Sequence, residues 1–154
     1  MSICLYSNFF PTFIQPIITM SNHGLQICVV DDDFIYQFAV KKTIEATGLA
    51  SEIITFSNGE EAINYLQEKK DDIASIPDII FLDINMPIMD GWEFLEAYRP
   101  LEIILKKKIT IYIVSSSTSD SDIEHSKKFS NVSGYIIKPV HKEKFEELLS
   151  RSLV

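Results

Sequence analysis

Five short apolar runs, each followed by a longer stretch with one apolar side, set the tightest limit on what this chain can fold into. Residues 27–30, 53–56, 79–82, 109–114 and 135–137 are brief runs rich in β-branched and aromatic side chains, the pattern of strands covered on both faces. Between and after them the apolar residues fall at helical spacing. Residues 33–47 are expected to form the first helix, with Asp33 as N-cap, Phe34, Ile35, Phe38 and Ile44 facing inward, and Gly48 as the stop. Asn58 and Gly59 open a second helix that faces Ala62, Ile63 and Leu66 inward. A third follows Asp90 and Gly91, through Trp92, Phe94, Leu95 and Tyr98. Pro100 is expected to end or kink it, and 101–108 is read as a solvated connection, with another helical turn as the alternative. Residues 119–129 form a polar fourth helix whose only large apolar anchors are Ile123 and Phe129. The fifth starts near His141 and buries Phe145, Leu148 and Leu149.

Strict alternation of strand and helix predicts the α/β class, with a doubly wound parallel sheet and helices on both faces. At 154 residues the chain has room for one such domain, assigned to 25–154. Residues 1–24 are expected to lie outside it. No Asp, Glu, Lys or Arg occurs in the first 30 residues, so a secretory leader would lack its positive start. Asn8, Pro11, Gln15 and Pro16 interrupt any membrane span there. This segment is read as an extension, with a hydrophobic docking arm as the alternative.

The net charge of −8 argues against direct nucleic-acid binding, which needs a basic face. Cys4 and Cys28 are far apart, and Cys28 stands in an apolar run. It is read as a buried free thiol, in keeping with a reducing cytoplasm. His23, His125 and His141 show no metal-ligand spacing.

In open α/β folds, ligands sit beyond the carboxyl ends of the strands. Here those ends carry Asp31, Asp32 and Asp33 after the first strand, Asp83 after the third, Ser115, Ser116 and Ser117 after the fourth, and Lys138 after the fifth. Grouped carboxylates repel one another unless a hard cation joins them, and Mg²⁺ prefers oxygen ligands. A carboxylate beside such a cation can attack a phosphoryl group, and a lysine and a hydroxyl can hold the transferred oxygens. Taken alone, the three acids also suit the start of a helix, through its dipole, and a lone lysine is ordinarily just a surface group.

Together these residues resemble a known family. Val29-Val30-Asp31-Asp32, the run from Phe81 through Asp83 and Met86-Pro87 to Asp90-Gly91, then Ser115-Ser116, then Lys138-Pro139 look like the motifs of response-regulator receiver domains. The resemblance covers residues 26 to about 152. It implies a flavodoxin-like five-stranded sheet in the order 2-1-3-4-5. It also implies that Asp83 is the phosphoacceptor and that Mg²⁺ is held by Asp31, Asp32, Asp83 and the backbone carbonyl of Asn85. Lys138 would pair with the phosphoryl group, Ser115 and Tyr135 would form the switch, and Asn85 and Ser117 would modulate hydrolysis. The expected partners are a histidine kinase or histidine phosphotransfer protein as donor. A downstream protein would bind the face made by the fourth helix, fifth strand and fifth helix, which also offers itself for dimerisation; no membrane partner is expected. Ser115 stands where threonine is commoner, and Ser116 where alanine is.

Three other readings fit less well. A phosphatase of the haloacid dehalogenase type resembles Asp-x-Asp here, but this chain has Asn85 as the third residue. A flavin binder would need a phosphate cradle where Asp31, Asp32 and Asp33 would repel one. A pseudo-receiver, a pure interaction module, lacks an acid or the lysine, and both are present here.

Overall fold

The computed structural model describes residues 24–154. The assignment of residues 1–24 therefore lies, Gly24 apart, outside the described residues. Five strands, β1 (Leu25–Val30), β2 (Ala50–Phe56), β3 (Ile79–Leu82), β4 (Thr110–Ser115) and β5 (Val132–Ile137), alternate with five helices. These are α1 (Phe34–Glu45), α2 (Gly59–Lys69), α3 (Gly91–Ile104), α4 (Asp120–Ser126) and α5 (Lys142–Ser152). All strand pairs are parallel, in the order β2-β1-β3-β4-β5. This is the flavodoxin-like sheet expected from the sequence. The chain reverses its direction of winding between β1 and β3, so the first and third strand ends lie side by side.

The central strands are apolar throughout because both faces are covered. One core joins Val30, Ile80, Leu82 and Ile113 to Leu66, Phe94, Leu95 and Tyr98 of α2 and α3. The other joins Ile27, Val29, Phe81 and Val114 to Val40 and Ile44 of α1 and to Phe145, Leu148 and Leu149 of α5. Cys28 is buried and free, as expected. The edge strands β2 and β5 are longer than their apolar runs indicate. Each begins with small or polar residues, among which Ser51, Glu52 and Ser133 are exposed, so the apolar run marks only part of the strand.

Two helix expectations need correction. In α1 the inner line is Gln37, Val40 and Ile44, whereas Phe34, Ile35 and Phe38 are 71%, 83% and 65% exposed. The Asp33 carboxylate accepts the backbone N–H groups of Ile35 and Tyr36, which fixes where the helix begins. Gln37 then points inward and donates to the carbonyls of Asp31 and Phe56, satisfying buried strand-end acceptors. That polar demand sets the rotation of the helix and turns the three apolar residues outward. In α3, Pro100 does not end the helix, which runs on to Ile104. Proline removes one backbone hydrogen bond, but Leu101 and Leu105 are buried in the core and hold the last turn in place. Residues 101–108 are thus not a solvated connection. Lys107 anchors them with an ion pair of 2.9 Å to Asp78 and a bond of 2.6 Å to the carbonyl of Ile76.

The start of α3 is pressed against the end of β3. Asp90 and Glu93 form a reciprocal capping box, and the Gly91 N–H donates to the Ile84 carbonyl at 3.1 Å. A Cβ on Gly91 would stand 2.4 Å from the Asp83 carbonyl oxygen and 2.7 Å from the Ile84 Cα. Neither backbone atom can yield without moving Asp83. Gly91→Ala is therefore expected to lower unfolding free energy by about 1–3 kcal/mol in urea titrations, whereas Gly48→Asn, at a helix stop with positive φ and open space around it, should cost much less.

Candidate functional site

The acid-rich strand ends converge as the sequence predicts. Asp31 and Asp83 follow neighbouring parallel strands, and each offers one carboxylate oxygen, together with Asp32, within 4.8 Å of the other two. Asp31 and Asp83 are buried and Asp32 is exposed. Lys138, at the end of β5, reaches across the sheet. Its Nζ lies 2.6 Å from Asp31 Oδ2 and 3.9 Å from Asp83 Oδ2. The lysine precedes a cis peptide bond to Pro139, and its N–H donates to the Ser115 carbonyl at 2.9 Å.

Burial pushes the Asp83 carboxyl up to about 6, offset by the Lys138 ammonium and raised further by the Asp31 charge; the backbone N–H groups of Ile84 and Asn85 pull it back. A carboxyl so placed is crowded by negative charge, which a cation would relieve. Asp31, Asp32 and Asp83 form an all-oxygen donor set of the kind hard divalent cations take. The residues present therefore fit such an ion, with an exposed carboxylate at its open side.

Ser115 is wholly buried, and its Oγ accepts the Ser117 N–H at 3.1 Å. Ser117 is a junction. Its Oγ donates to Asp122 of α4 at 2.5 Å and accepts the Ser119 N–H, while its carbonyl accepts the Tyr135 hydroxyl at 3.0 Å. One residue thereby links the hydroxyl at the end of β4, the aromatic ring on β5 and the first turn of α4. The α4 helix is also held from α3, where the Trp92 ring lies 4.3 Å from His125 and 5.9 Å from Phe129. Asn85 is exposed at the rim.

Two residues at the site were not singled out from the sequence. Gln37 holds the backbone of Asp31, as described above. Tyr36 places its ring 4.0 Å from the Lys138 ammonium. Helical periodicity carries the signal that finds it: Tyr36 stands four and eight residues before Val40 and Ile44, which line the inner face of α1.

A model of the response regulator receiver domain matches residues 27–150, and the chain belongs to that family. Among curated relatives, a probable methanogenesis regulatory protein of Methanothrix harundinacea is 29% identical over 79% of this chain and 75% of its own length. A protein-glutamate methylesterase/protein-glutamine glutaminase of Clostridium acetobutylicum is 29% identical over 79% of this chain, which spans about a third of that longer protein. The crystal structure of a two-component response regulator from Cytophaga hutchinsonii superposes with a TM-score of 0.76 at 29% identity, covering 85% of this chain and 98% of the other. The fold is thus that of a signalling domain found both alone and within longer proteins.

The raised Asp83 carboxyl has a consequence for stability. Unfolded, it ionises near 3.8; folded, near 6. The folded state binds its proton more tightly, so this group favours folding below about pH 4, and that contribution is lost as pH rises through 6. Without divalent cations, Asp83→Asn is expected to raise the melting temperature by a few degrees at pH 7.5, with the gain shrinking to nothing near pH 4 in calorimetry.

Proposed function

We propose that Asp83 accepts a phosphoryl group from the phosphohistidine of a histidine kinase or histidine phosphotransfer protein, in a Mg²⁺-dependent reaction, and that phosphorylation changes a face read by another protein. The observation that carries this is one carboxylate, Asp83, within 4.8 Å of two others and 3.9 Å from an ammonium, at the end of a central strand. No helix among the described residues is long and apolar enough to cross a membrane, and we assign the domain, residues 25–154, to the cytoplasm.

The chemistry follows from the groups. An ionised Asp83 oxygen attacks phosphorus, the bond from phosphorus to the donor's imidazole nitrogen breaks, and the imidazole leaves with that electron pair. Mg²⁺ would be held by Asp31, Asp32, Asp83 and the Asn85 carbonyl, and when bound it supplies charge neutralisation between the attacking carboxylate and the phosphoryl oxygens. Lys138 and the Ser115 hydroxyl bind those oxygens once they arrive. At pH 7 most Asp83 is ionised, since its carboxyl titrates near 6. Asn85 and Ser117 modulate hydrolysis of the acyl phosphate; the Ser117 hydroxyl is engaged with Asp122 and would act by releasing it. The chain catalyses only its own phosphorylation and a slow loss of the group.

The output is a surface. When the Ser115 hydroxyl turns to the phosphoryl oxygens, it withdraws from the Ser117 N–H, and the Ser117 junction passes the change to Tyr135 and α4. The α4 helix is short and has few apolar anchors, so little energy holds it. The face of α4, β5 and α5 then receives a downstream protein or a second copy.

Incubation with acetyl phosphate and Mg²⁺ should add one phosphoryl group by intact mass. Asp83→Asn should remain unmodified, and equal modification of that variant at the same site would overturn the assignment. Asp32→Ala should weaken Mg²⁺ binding by at least about tenfold in calorimetry and slow phosphorylation in step; unchanged Mg²⁺ affinity would remove Asp32 from the metal site. Amide exchange with and without beryllium fluoride should differ across residues 115–140, and identical exchange would leave the chain a phosphoryl relay without a switch.

A further inference from the structure

Lys138 has to serve two oxygens in turn. In the structure its ammonium is bonded to Asp31 at 2.6 Å, while Asp83 at 3.9 Å is beyond hydrogen-bond reach. A phosphoryl group on Asp83 would draw the ammonium away from Asp31. A long, flexible side chain released from one carboxylate needs something to keep it over the site.

That something is the ring of Tyr36, whose centroid lies 4.0 Å from Lys138 Nζ. The Lys138 side chain is only 16% exposed, so the contact is largely dry, the condition in which a cation is drawn most strongly to an aromatic face. Tyr36 is itself well fixed. Its N–H is held by the Asp33 cap at 3.1 Å, and its side chain packs against the core beneath α1 and α5. Its hydroxyl is buried and has no hydrogen-bond partner among the described residues, so no described contact of the phenol oxygen holds the side chain in place.

We propose that Tyr36 is a positioning residue for Lys138, its ring face being the platform on which the ammonium passes from Asp31 to the phosphoryl oxygens on Asp83; this rests on the phosphoacceptor reading above. The attraction of a ring face is broad, whereas a carboxylate holds an ammonium at one point. The ring therefore keeps its hold while the partner changes. An aliphatic residue of similar size would fill the space without attracting the charge.

The test uses the full chain with acetyl phosphate and saturating Mg²⁺, reading the phosphorylation rate by intact mass. Tyr36→Phe keeps the ring and should keep the rate within about twofold, whereas Tyr36→Leu should lose about tenfold, the scale of a desolvated cation–ring contact. Phenylalanines carrying one, two and three fluorines at position 36 keep the shape but weaken the ring's negative face. The logarithm of the rate should fall steadily along that series, which a space-filling role would not produce and which needs no variant with altered packing. If the unaltered chain gains no phosphoryl group, the phosphoacceptor reading itself fails. If it does, but the fluorinated series is flat or Tyr36→Phe is as slow as Tyr36→Leu, the platform role alone is overturned.

Discussion

The ion pair between Lys138 and Asp31 joins residues 107 positions apart, and most of the site depends on it. Asp31 is almost fully buried, and a buried carboxylate without a partner is costly. The partner arrives only if β5 is docked beside β4, β4 beside β3, and β3 beside β1, all in parallel register. The local demands on the chain, such as the Asp33 cap and the inward turn of Gln37, serve the same end by fixing the backbone that carries Asp31. A site assembled from several strand ends reports on the whole sheet, because an error of register in any of them separates the charges.

The same arrangement explains why Asp83 is poised rather than neutralised. Lys138 stands closer to Asp31 than to Asp83, so Asp83 keeps the unfavourable part of its burial, which pushes its carboxyl up to about 6. A carboxylate already satisfied by an ammonium would be a weaker nucleophile and a poorer ligand. The geometry gives that satisfaction to Asp31 and leaves Asp83 in need of a cation.

Much of this was legible in the sequence. The order of strands and helices followed from apolar runs, and the site from which residues stood at the carboxyl ends of those runs. Three things were not legible, each for a physical reason. The rotation of α1 was set by Gln37, a polar residue needed by two backbone carbonyls, and an apolar count along the helix could not see that need. The passage of α3 through Pro100 depended on Leu101 and Leu105 finding a core, which is a tertiary outcome. The Ser117 junction and the Tyr36 ring are contacts between elements distant in sequence, and each is carried by a residue type that in isolation reads as ordinary loop or helix surface.

Trp92 is the single tryptophan of the chain, and it leans on His125 and Phe129 across the gap between α3 and α4. Its indole sees α4 at close range and has no competing emitter of its own kind anywhere in the molecule. The His125 ring lies tilted against the indole at 4.3 Å between centroids, so a shift of α4 changes the surroundings of the emitter directly. The fold thus carries a native optical gauge of the helix that Ser117 ties to the proposed phosphoacceptor site, readable in solution without any label.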